Sequence, residues 1–299
     1  MWWKRAQEVR PEFEPTRLYG CLYGGALGDA LGFQFESRGP PDGDALDCLG
    51  CISDDTQLTL ATLEAIASRA RVDPELIAQA FVDWNRRDGI RGAGASTTKA
   101  IRELHFGAHW ALVGRKGEMA AGNGAAIRIA PLAFALDPAT RIGRLRIRDV
   151  ARITHHSDEA YVGALALCLA IHDVLHNRPL SLTAVASRLS DTRVRDRLQL
   201  LSRWDGTLED AAAELGTSGY VVESVPLAIW AAARAEEGDY STLIQSLVRL
   251  GGDCDSIASM AGQLFGARFG AGAMPKTWML QLRERAKVDH AAALFLNRI

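Results

Sequence analysis

The chain has 299 residues, of which 48% are hydrophobic, so it is long enough to bury a sizeable core. Its formal net charge of -2 excludes the chain-wide phosphate binding of a basic nucleic-acid binder, and we predict no nucleic-acid partner. No segment has the apolar run that a membrane span needs, and charged residues follow Trp3 where a signal peptide would be apolar. We therefore expect a cytoplasmic protein with no membrane partner.

Residues 1–16 are predicted to form an N-terminal arm, because this stretch contains two prolines and several charges. Trp2 and Trp3 are unusual for a free tail, so the arm packs on the protein, contacts a protein partner or stays disordered. No Pro/Gly/Ser-rich linker or shift in composition divides residues 17–299. This second part is therefore predicted to be one domain.

Apolar residues recur at helical spacing along most of the chain. Leu58, Thr62 and Ile66 form one such stripe, and Ile77 and Phe81 belong to another. Later stretches are apolar around most of their circumference, which is typical of buried central helices, at 162–174, 221–235 and 257–269. No series of strands with hairpin turns follows the few alternating runs. The sequence predicts an all-α protein of a dozen or more helices.

Two acidic clusters lie far apart in the sequence, at Ser53-Asp54-Asp55-Thr56 and Asp253-Cys254-Asp255-Ser256. Each precedes a stretch of helical periodicity. Carboxylates and hydroxyls are the ligands that Mg²⁺ and Mn²⁺ prefer, so clusters brought together by the fold could hold two metals. Such metals would bind an oxygen-rich substrate and activate a water. For either cluster alone, the alternative is ordinary helix capping by Ser and Asp.

Five segments occur in the order typical of one protein family, and they begin at Gly24-Gly25-Ala26-Leu27-Gly28-Asp29-Ala30-Leu31-Gly32, which Glu36 closes. The other four are Ile52–Thr56, Gly122–Arg128, Ile153–His155 and Gly251–Ser256. Together they resemble the motifs of the ADP-ribosylglycohydrolase family over roughly residues 17 to 280. The resemblance implies a single compact multi-helix domain with a binuclear metal site.

The resemblance also implies the cofactors and the groups that act on the substrate. Two Mg²⁺ or Mn²⁺ ions are expected, with ligands from Ser53, Asp54, Asp55, Asp253, Asp255 and Ser256. Glu36 lies among aromatic and aliphatic neighbours, where a carboxylate needs a partner. We predict Glu36 as the general acid/base, with Asp54 and Asp253 as competing candidates for the same catalytic role.

Gly122, Asn123 and Gly124 are predicted to begin a helix that runs to Pro131. A helix N-terminus and glycine backbone favour a phosphate, although a simple loop and cap is the alternative. The resemblance implies that this segment binds the pyrophosphate or the distal ribose. Arg128 lies one turn into the predicted helix, where it could pair with a carboxylate behind the metal site.

Three further residues are placed at the substrate by the resemblance: His155, Tyr161 and Ser96. Taken alone, His155 would be interpreted as a capping or core histidine. Ser96 stands where the nitrogenase-regulating branch of the family has an aspartate, so this chain is not expected to handle the leaving group exactly as that branch does.

His172-Asp173-Val174-Leu175-His176 nearly matches a zinc metalloprotease motif, which places two histidines on one face of a helix. Aspartate is one methylene shorter than the usual glutamate, and the segment lies at a helix end, where histidine favourably meets the dipole. We predict a structural role for it.

The implied activity is hydrolysis of the N- or O-glycosidic bond of an ADP-ribosylated protein, which releases ADP-ribose. ADP-ribosyl-arginine is the preferred substrate of this interpretation, because a guanidine leaves with little acid assistance. Two alternatives stay open. The protein could be a non-catalytic member that binds a partner or serves a structural role, or it could hydrolyse other ADP-ribosyl conjugates.

Overall fold

The computed structural model describes residues 13–36, 39, 46 and 49–298, and this part of the chain is dominated by helices. The predicted all-α class and single compact domain are confirmed. The α-helices are α1 (Pro15–Gly32), α2 (Asp54–Arg69), α3 (Pro74–Asp88), α4 (Ala95–His105), α5 (Ala130–Ala133), α6 (Arg141–Arg152), α7 (Asp158–Leu175), α8 (Leu182–Ala186), α9 (Arg193–Leu201), α10 (Leu208–Leu215), α11 (Val221–Arg234), α12 (Tyr240–Arg249), α13 (Cys254–Phe269), α14 (Lys276–Gln281) and α15 (Arg285–Leu296).

The helices form where the apolar spacing predicts them. Leu58, Thr62 and Ile66 are all buried on α2, and Ile77 and Phe81 are buried on α3. The three stretches that are apolar all round correspond to α7, α11 and α13, and almost every residue of α7 and α13 is buried. In the described residues no helix is both long enough and apolar enough to cross a membrane.

One small sheet interrupts the helical pattern. β1 (Arg115–Lys116) pairs in parallel with β2 (His155–His156), so that Arg115 is opposite His155. Strands of two residues leave no alternating pattern in the sequence, and this pair was not predicted. The pairing holds Arg115 and His155 beside the cleft described below.

The end of the predicted N-terminal arm (residues 1–16) packs onto the domain through Phe13 and the start of α1. α1 begins at Pro15, a residue type favoured in the first helical turn. The rings of Phe13 and Phe134 meet edge to face, with centroids 4.9 Å apart. Trp2 and Trp3 lie outside the described residues, so the proposed role of the arm in partner binding remains a prediction.

Glycines allow α1 and α13 to touch backbone to backbone. A Cβ added at Gly28 would lie 2.5 Å from the carbonyl oxygen of Ala258, and one added at Gly24 would overlap the carbonyl of Gly262. The glycine-rich motif is therefore structural, as its composition suggests. Because α13 begins one turn before Ala258, this contact also places Asp255 against the end of α1.

Gly28→Ala is expected to lower the free energy of unfolding by about 3 kcal/mol, at the upper end of the range for overpacking, because the methyl group meets backbone that cannot rotate away. Urea denaturation followed by circular dichroism measures this loss. Gly272→Ala is the matched control, since its added Cβ meets no atom within 4 Å. Equal stability of the two variants would mean that α1 and α13 can separate at no cost.

Candidate functional site

A cleft of about 450 Å³ opens where the ends of three helices meet. Glu36 follows α1, Asp54 and Asp55 begin α2, and Asp253 and Asp255 lie at the start of α13. All five carboxylate side chains line the cavity, as does the Ser256 residue beside them. The structure thus brings together the two acidic clusters that are far apart in the sequence.

Asp29, near the end of α1, holds the first turn of α2. Its buried carboxylate accepts hydrogen bonds from the Ser53 amide (3.0 Å), the Thr56 amide (3.1 Å) and the Thr56 hydroxyl (2.5 Å). Ser53 Oγ in turn accepts from the Asp55 amide at 3.2 Å, which is the N-cap arrangement. Ser53 is therefore the N-cap of α2, and its hydroxyl already accepts a hydrogen bond. Asp54 and Asp55 instead face the cleft.

Two overlapping groups of carboxylates are close enough to share cations. Oxygen atoms of Asp29, Asp55 and Asp255 lie within 4.8 Å of one another, and so do those of Glu36, Asp253 and Asp255. Asp55 Oδ2 and Asp255 Oδ1 are buried without a hydrogen-bond partner among the described residues. An unpartnered buried carboxylate oxygen is costly unless a cation binds it. The donor set therefore fits Mg²⁺ or Mn²⁺.

The carboxylates of the cleft raise one another's pKa. Burial, and then the charges of Asp29 and Asp253, raise the pKa of Asp54 to about 8. Burial first and Asp255 second hold the pKa of Asp55 well above its usual range, and burial followed by Asp253 does the same to Asp255. At neutral pH a cation would replace protons in this cluster, because metal ligands must be deprotonated.

In chelator, the wild type is expected to lose stability relative to Asp54→Asn as the pH rises from ~6 to ~8, by at least ~1 kcal/mol. A folded-state pKa raised from 3.8 to about 8 gives stability that is present at low pH and lost as the pH passes through the folded value. The variant serves as reference because buried His155 and His172, with lowered pKa values, titrate in the opposite sense. Urea midpoints measure the difference, which added Mg²⁺ should abolish. A difference independent of pH would contradict the raised pKa.

The segment at Gly122 does not begin the predicted long helix, and that prediction is wrong. Asn123–Ala125 form one turn of 3-10 helix, and α5 starts only at Ala130. The carbonyls that a continuous helix would use are taken by side chains: Arg128 binds Gly124 O, and Gln263 donates to Ile127 O at 2.7 Å. Pro131 also lacks the amide that would bond to Ile127 O. No helix dipole is therefore available here for a phosphate.

Asn123 supports the acidic cluster from the side of this segment. Its Nδ2 donates to Asp253 Oδ2 at 2.6 Å and to Ser224 Oγ at 3.2 Å. The side chain thus orients one of the candidate metal ligands, and the backbone of Gly122–Gly124 lines the cleft. Gly122 and Gly124 are needed for a second reason, since a Cβ at either position would press on the His155 ring, at 3.2 and 2.8 Å.

His155 and Arg115 line the same wall of the cleft, opposite each other in the β1–β2 pair. Burial, followed by the charge of Arg128, lowers the pKa of His155 to about 3, so the imidazole is neutral. Among the described residues of the lining, Arg115 alone carries a permanent positive charge. The cleft therefore has a cluster of acids on one side and a cation on another wall.

The remaining predicted site residues divide into two groups. Ser96, in the first turn of α4, is buried and lines the cleft as expected. Tyr161 does not, because it lies on α7 with its hydroxyl near Arg144 of α6. Arg128 also departs from its predicted carboxylate partner: it is fully buried and donates to Gly124 O, Val150 O and the Thr154 hydroxyl.

The segment that resembles a zinc motif has structural partners. Asp173 is buried and is bound by Arg188 and Arg178. His176 Nδ1 lies 2.8 Å from His172 O, and the two imidazole rings contact each other. These interactions give the segment a structural role at the end of α7.

Reasoning from the sequence missed the role of Asp29, and it missed the contact that Asn123, a predicted substrate-binding residue, makes with Asp253. In the sequence, Asp29 was named only as one residue of the first family segment, yet it belongs to one of the carboxylate groups. A signal existed, since a lone acid in a Gly/Ala/Leu helix must be buried and so needs partners. Asn123 had no such signal, because its contact with Asp253 depends on the fold alone.

Comparison with known proteins shows which family the chain resembles over nearly its whole length. The sequence model of the ADP-ribosylglycohydrolase family matches residues 10–299. The chain is 28% identical to ADP-ribosylhydrolase ARH3 of Bos taurus, over 95% of this chain and 93% of the relative. It is also 28% identical to ADP-ribosylarginine hydrolase Tri1 of Pseudomonas putida, over 98% of this chain and 81% of the relative.

The fold is shared with a solved structure described as an ADP-ribosylglycohydrolase-related protein complex. The TM-score is 0.75 and the sequence identity is 28%, with 95% of this chain and 99% of that chain covered. Both the acidic clusters and the glycine segments fall inside the matched part of the sequence.

Proposed function

The chain belongs to the ADP-ribosylglycohydrolase family, and from this premise we propose that it hydrolyses the glycosidic bond of ADP-ribosylated proteins, with ADP-ribosyl-arginine as the substrate. The observation that carries the proposal is the meeting of Asp54, Asp55, Asp253 and Asp255 in one cleft. Two of their buried oxygens, one on Asp55 and one on Asp255, have no hydrogen-bond partner in the part of the chain that the structure describes. The relative from Pseudomonas putida is an ADP-ribosylarginine hydrolase by name, which supports arginine as the linked residue.

Two Mg²⁺ or Mn²⁺ ions would bind the ribose hydroxyls and supply an activated water. Their ligands would be Asp54, Asp55, Asp253, Asp255 and Ser256, with Ser53 as a further candidate. The protein's own groups would do the rest. The carboxylates stabilise positive charge that develops at C1′ as the bond to the leaving group breaks.

Glu36 is the proposed general base and acid. It is half-buried at the cleft, and its pKa is raised by burial, and then by Asp253 and Asp29. Glu36 takes a proton from the attacking water as the new C1′–O bond forms. The electron pair of the broken C1′–N bond stays on the guanidine nitrogen, which takes up the proton that Glu36 received, so that ADP-ribose leaves and the arginine side chain of the protein is restored.

The cleft has carboxylates on one side and Arg115 on another wall, so it suits a ligand whose two ends differ in charge. A ribose beside the aspartates offers hydroxyls to oxygen-binding cations, and the diphosphate would be bound near Arg115 and the backbone of Gly122–Gly124. His155 would donate to the same ligand. Ser96 lies on the cleft lining at the start of α4, where it would contact the leaving group.

The test uses defined ADP-ribosyl-arginine and ADP-ribosyl-serine peptides, each with Mg²⁺, Mn²⁺ or chelator. We expect release of ADP-ribose from the arginine peptide, loss of release in chelator, and recovery when metal is added back. Release from neither peptide would overturn the proposal, and tight binding to a protein partner would then favour a non-catalytic, partner-binding role. Full turnover in metal-free buffer would overturn the role of the metals alone.

The linkage can be probed at Ser96. Ser96→Asp is expected to lower KM for the arginine peptide severalfold, because the added carboxylate would pair with the guanidinium, and the gain should shrink as salt is raised. Ser96→Asn is the control of similar shape without the charge. An unchanged KM, together with efficient cleavage of the serine peptide by the wild type, would replace arginine by serine as the proposed substrate.

A further inference from the structure

Arg128 is a cation buried completely within the wall of the cleft. Its Nη1 donates to Gly124 O, and its Nη2 donates to Val150 O at 3.2 Å and to Thr154 Oγ1 at 2.8 Å. The guanidinium carbon also lies 5.2 Å from the ring centroid of Phe81. One side chain therefore joins the glycine segment to the end of α6 and to the residue before His155.

The contact with Arg128 determines in which direction the Thr154 hydroxyl can donate a hydrogen bond. Arginine has no acceptor atom, so Thr154 Oγ1 can only accept from Arg128. Thr154 is fully buried, and its one other side-chain neighbour within hydrogen-bond distance in the described residues is His155 Nδ1, at 2.6 Å. The hydroxyl proton must point at Nδ1, since otherwise it would be buried without an acceptor.

A neutral imidazole that accepts at Nδ1 carries its proton on Nε2. Nε2 lies beside the glycine segment, because a Cβ added at Gly122 or at Gly124 would be 3.2 Å from it. His155 also lines the cleft. The ring thus presents N–H, and never a lone pair, to a molecule in the cleft.

We propose that Arg128 and Thr154 act as positioning residues that fix His155 as the Nε2–H tautomer, so that it donates a hydrogen bond to a phosphate or ribose oxygen of the ligand. The ligand part of this inference rests on the proposed function. A fixed donor selects oxygen acceptors and disfavours a group that itself donates, because that group would face N–H across the contact. Burial, followed by the positive charge of Arg128, lowers the pKa of His155 and keeps the ring neutral, and the Thr154 hydroxyl then selects between the two neutral tautomers.

The tautomer can be read in the ligand-free protein by NMR of histidine labelled with ¹⁵N, since the two ring nitrogens have different shifts when protonated and when bare. The wild type is expected to show a bare Nδ1 and a protonated Nε2 for His155. Thr154→Val, which keeps the shape but removes the hydroxyl, should mix the two tautomers. Thr154→Ser, which restores the hydroxyl, should restore the wild-type spectrum.

Binding of ADP-ribose by calorimetry supplies the second readout. Thr154→Val should weaken binding by about tenfold, as expected for one hydrogen bond, and Thr154→Ser should recover it. Thr62→Val is the control: it removes another fully buried hydroxyl, whose hydrogen bond within the described residues is to Leu58 O. That variant should keep both the wild-type spectrum and the wild-type affinity.

A protonated Nδ1 in the wild type would overturn the inference, even if Thr154→Val failed to fold. An unchanged tautomer in a folded Thr154→Val, or equal loss of affinity in Thr62→Val, would overturn it as well. Failure of the wild type to bind ADP-ribose would instead overturn the proposed function, and the spectrum of the ligand-free protein would still decide whether Arg128 and Thr154 fix the tautomer.

Discussion

Replacement of Asp55 or Asp255 by asparagine is expected to lower kcat by roughly 10²- to 10³-fold, the size found when one preorganised charged partner is removed from a reaction site. Asp255 belongs to both carboxylate groups, and Asp55 Oδ2 and Asp255 Oδ1 are the two aspartate oxygens that lie buried without a hydrogen-bond partner among the described residues. If these oxygens hold the same cations, the second substitution removes little that the first has left. The double variant should therefore be nearly as active as the weaker single variant.

Single-turnover kinetics with the arginine peptide measure these losses, and calorimetry with Mn²⁺ measures metal binding in the same variants. Asp191→Asn, an exposed aspartate in the loop before α9, is the control and should keep wild-type kcat. In chelator the two cleft variants should be at least as stable as the wild type, because each removes a crowded negative charge. Losses that multiply in the double variant would show that the two clusters act separately.

Glu36→Gln is expected to lower kcat by roughly 10²- to 10⁴-fold, the range for removal of a general acid/base, while the affinity for ADP-ribose changes far less. Glutamine keeps the shape of the side chain but cannot take a proton. The rate of the wild type should increase with pH as Glu36 loses its proton, because only the carboxylate form can accept a proton from the water. This increase should be absent from the residual activity of the variant.

Asp54 and Asp253 are the other candidates for the proton transfer. Binding of Mn²⁺, kcat and the affinity for ADP-ribose together distinguish them from Glu36. Asp54→Asn and Asp253→Asn should weaken binding of Mn²⁺, whereas Glu36→Gln should leave it nearly intact. If Glu36→Gln instead loses affinity for ADP-ribose in parallel with kcat, Glu36 positions the ligand. If Glu36→Gln retains kcat, the proton must be taken by another group, and Asp253 is the next candidate.

The fold class and the principal acids could be predicted because their signals are local. Helical spacing of apolar residues fixed the stripes of α2 and α3, and Ser and Asp before such stretches marked both acidic clusters. Their meeting could not be read from spacing, and it was inferred from the need to share metals and from the family resemblance. The five ordered motifs, more than composition, identified the family.

What could not be predicted depends on contacts between distant segments. The helix expected at Gly122 fails because side chains from α2 and α13 take the carbonyl of Ile127, which no local propensity records. Tyr161 matches a family motif, yet its half-buried side chain is drawn toward arginines of α6. Arg115 enters the cleft through a strand pair two residues long, which is too short to leave a pattern.

The backbone contact between α1 and α13 has a consequence for how the protein is made. These helices are distant in the sequence, so bringing them together requires closure of a very long loop, a step that slows folding. During synthesis, the glycine face of α1 leaves the ribosome long before its partner exists. A nascent chain that stops short of α13 lacks Asp255, the residue that both carboxylate groups share. Cations can therefore stabilise only the finished molecule: they should slow its unfolding and leave its refolding rate unchanged.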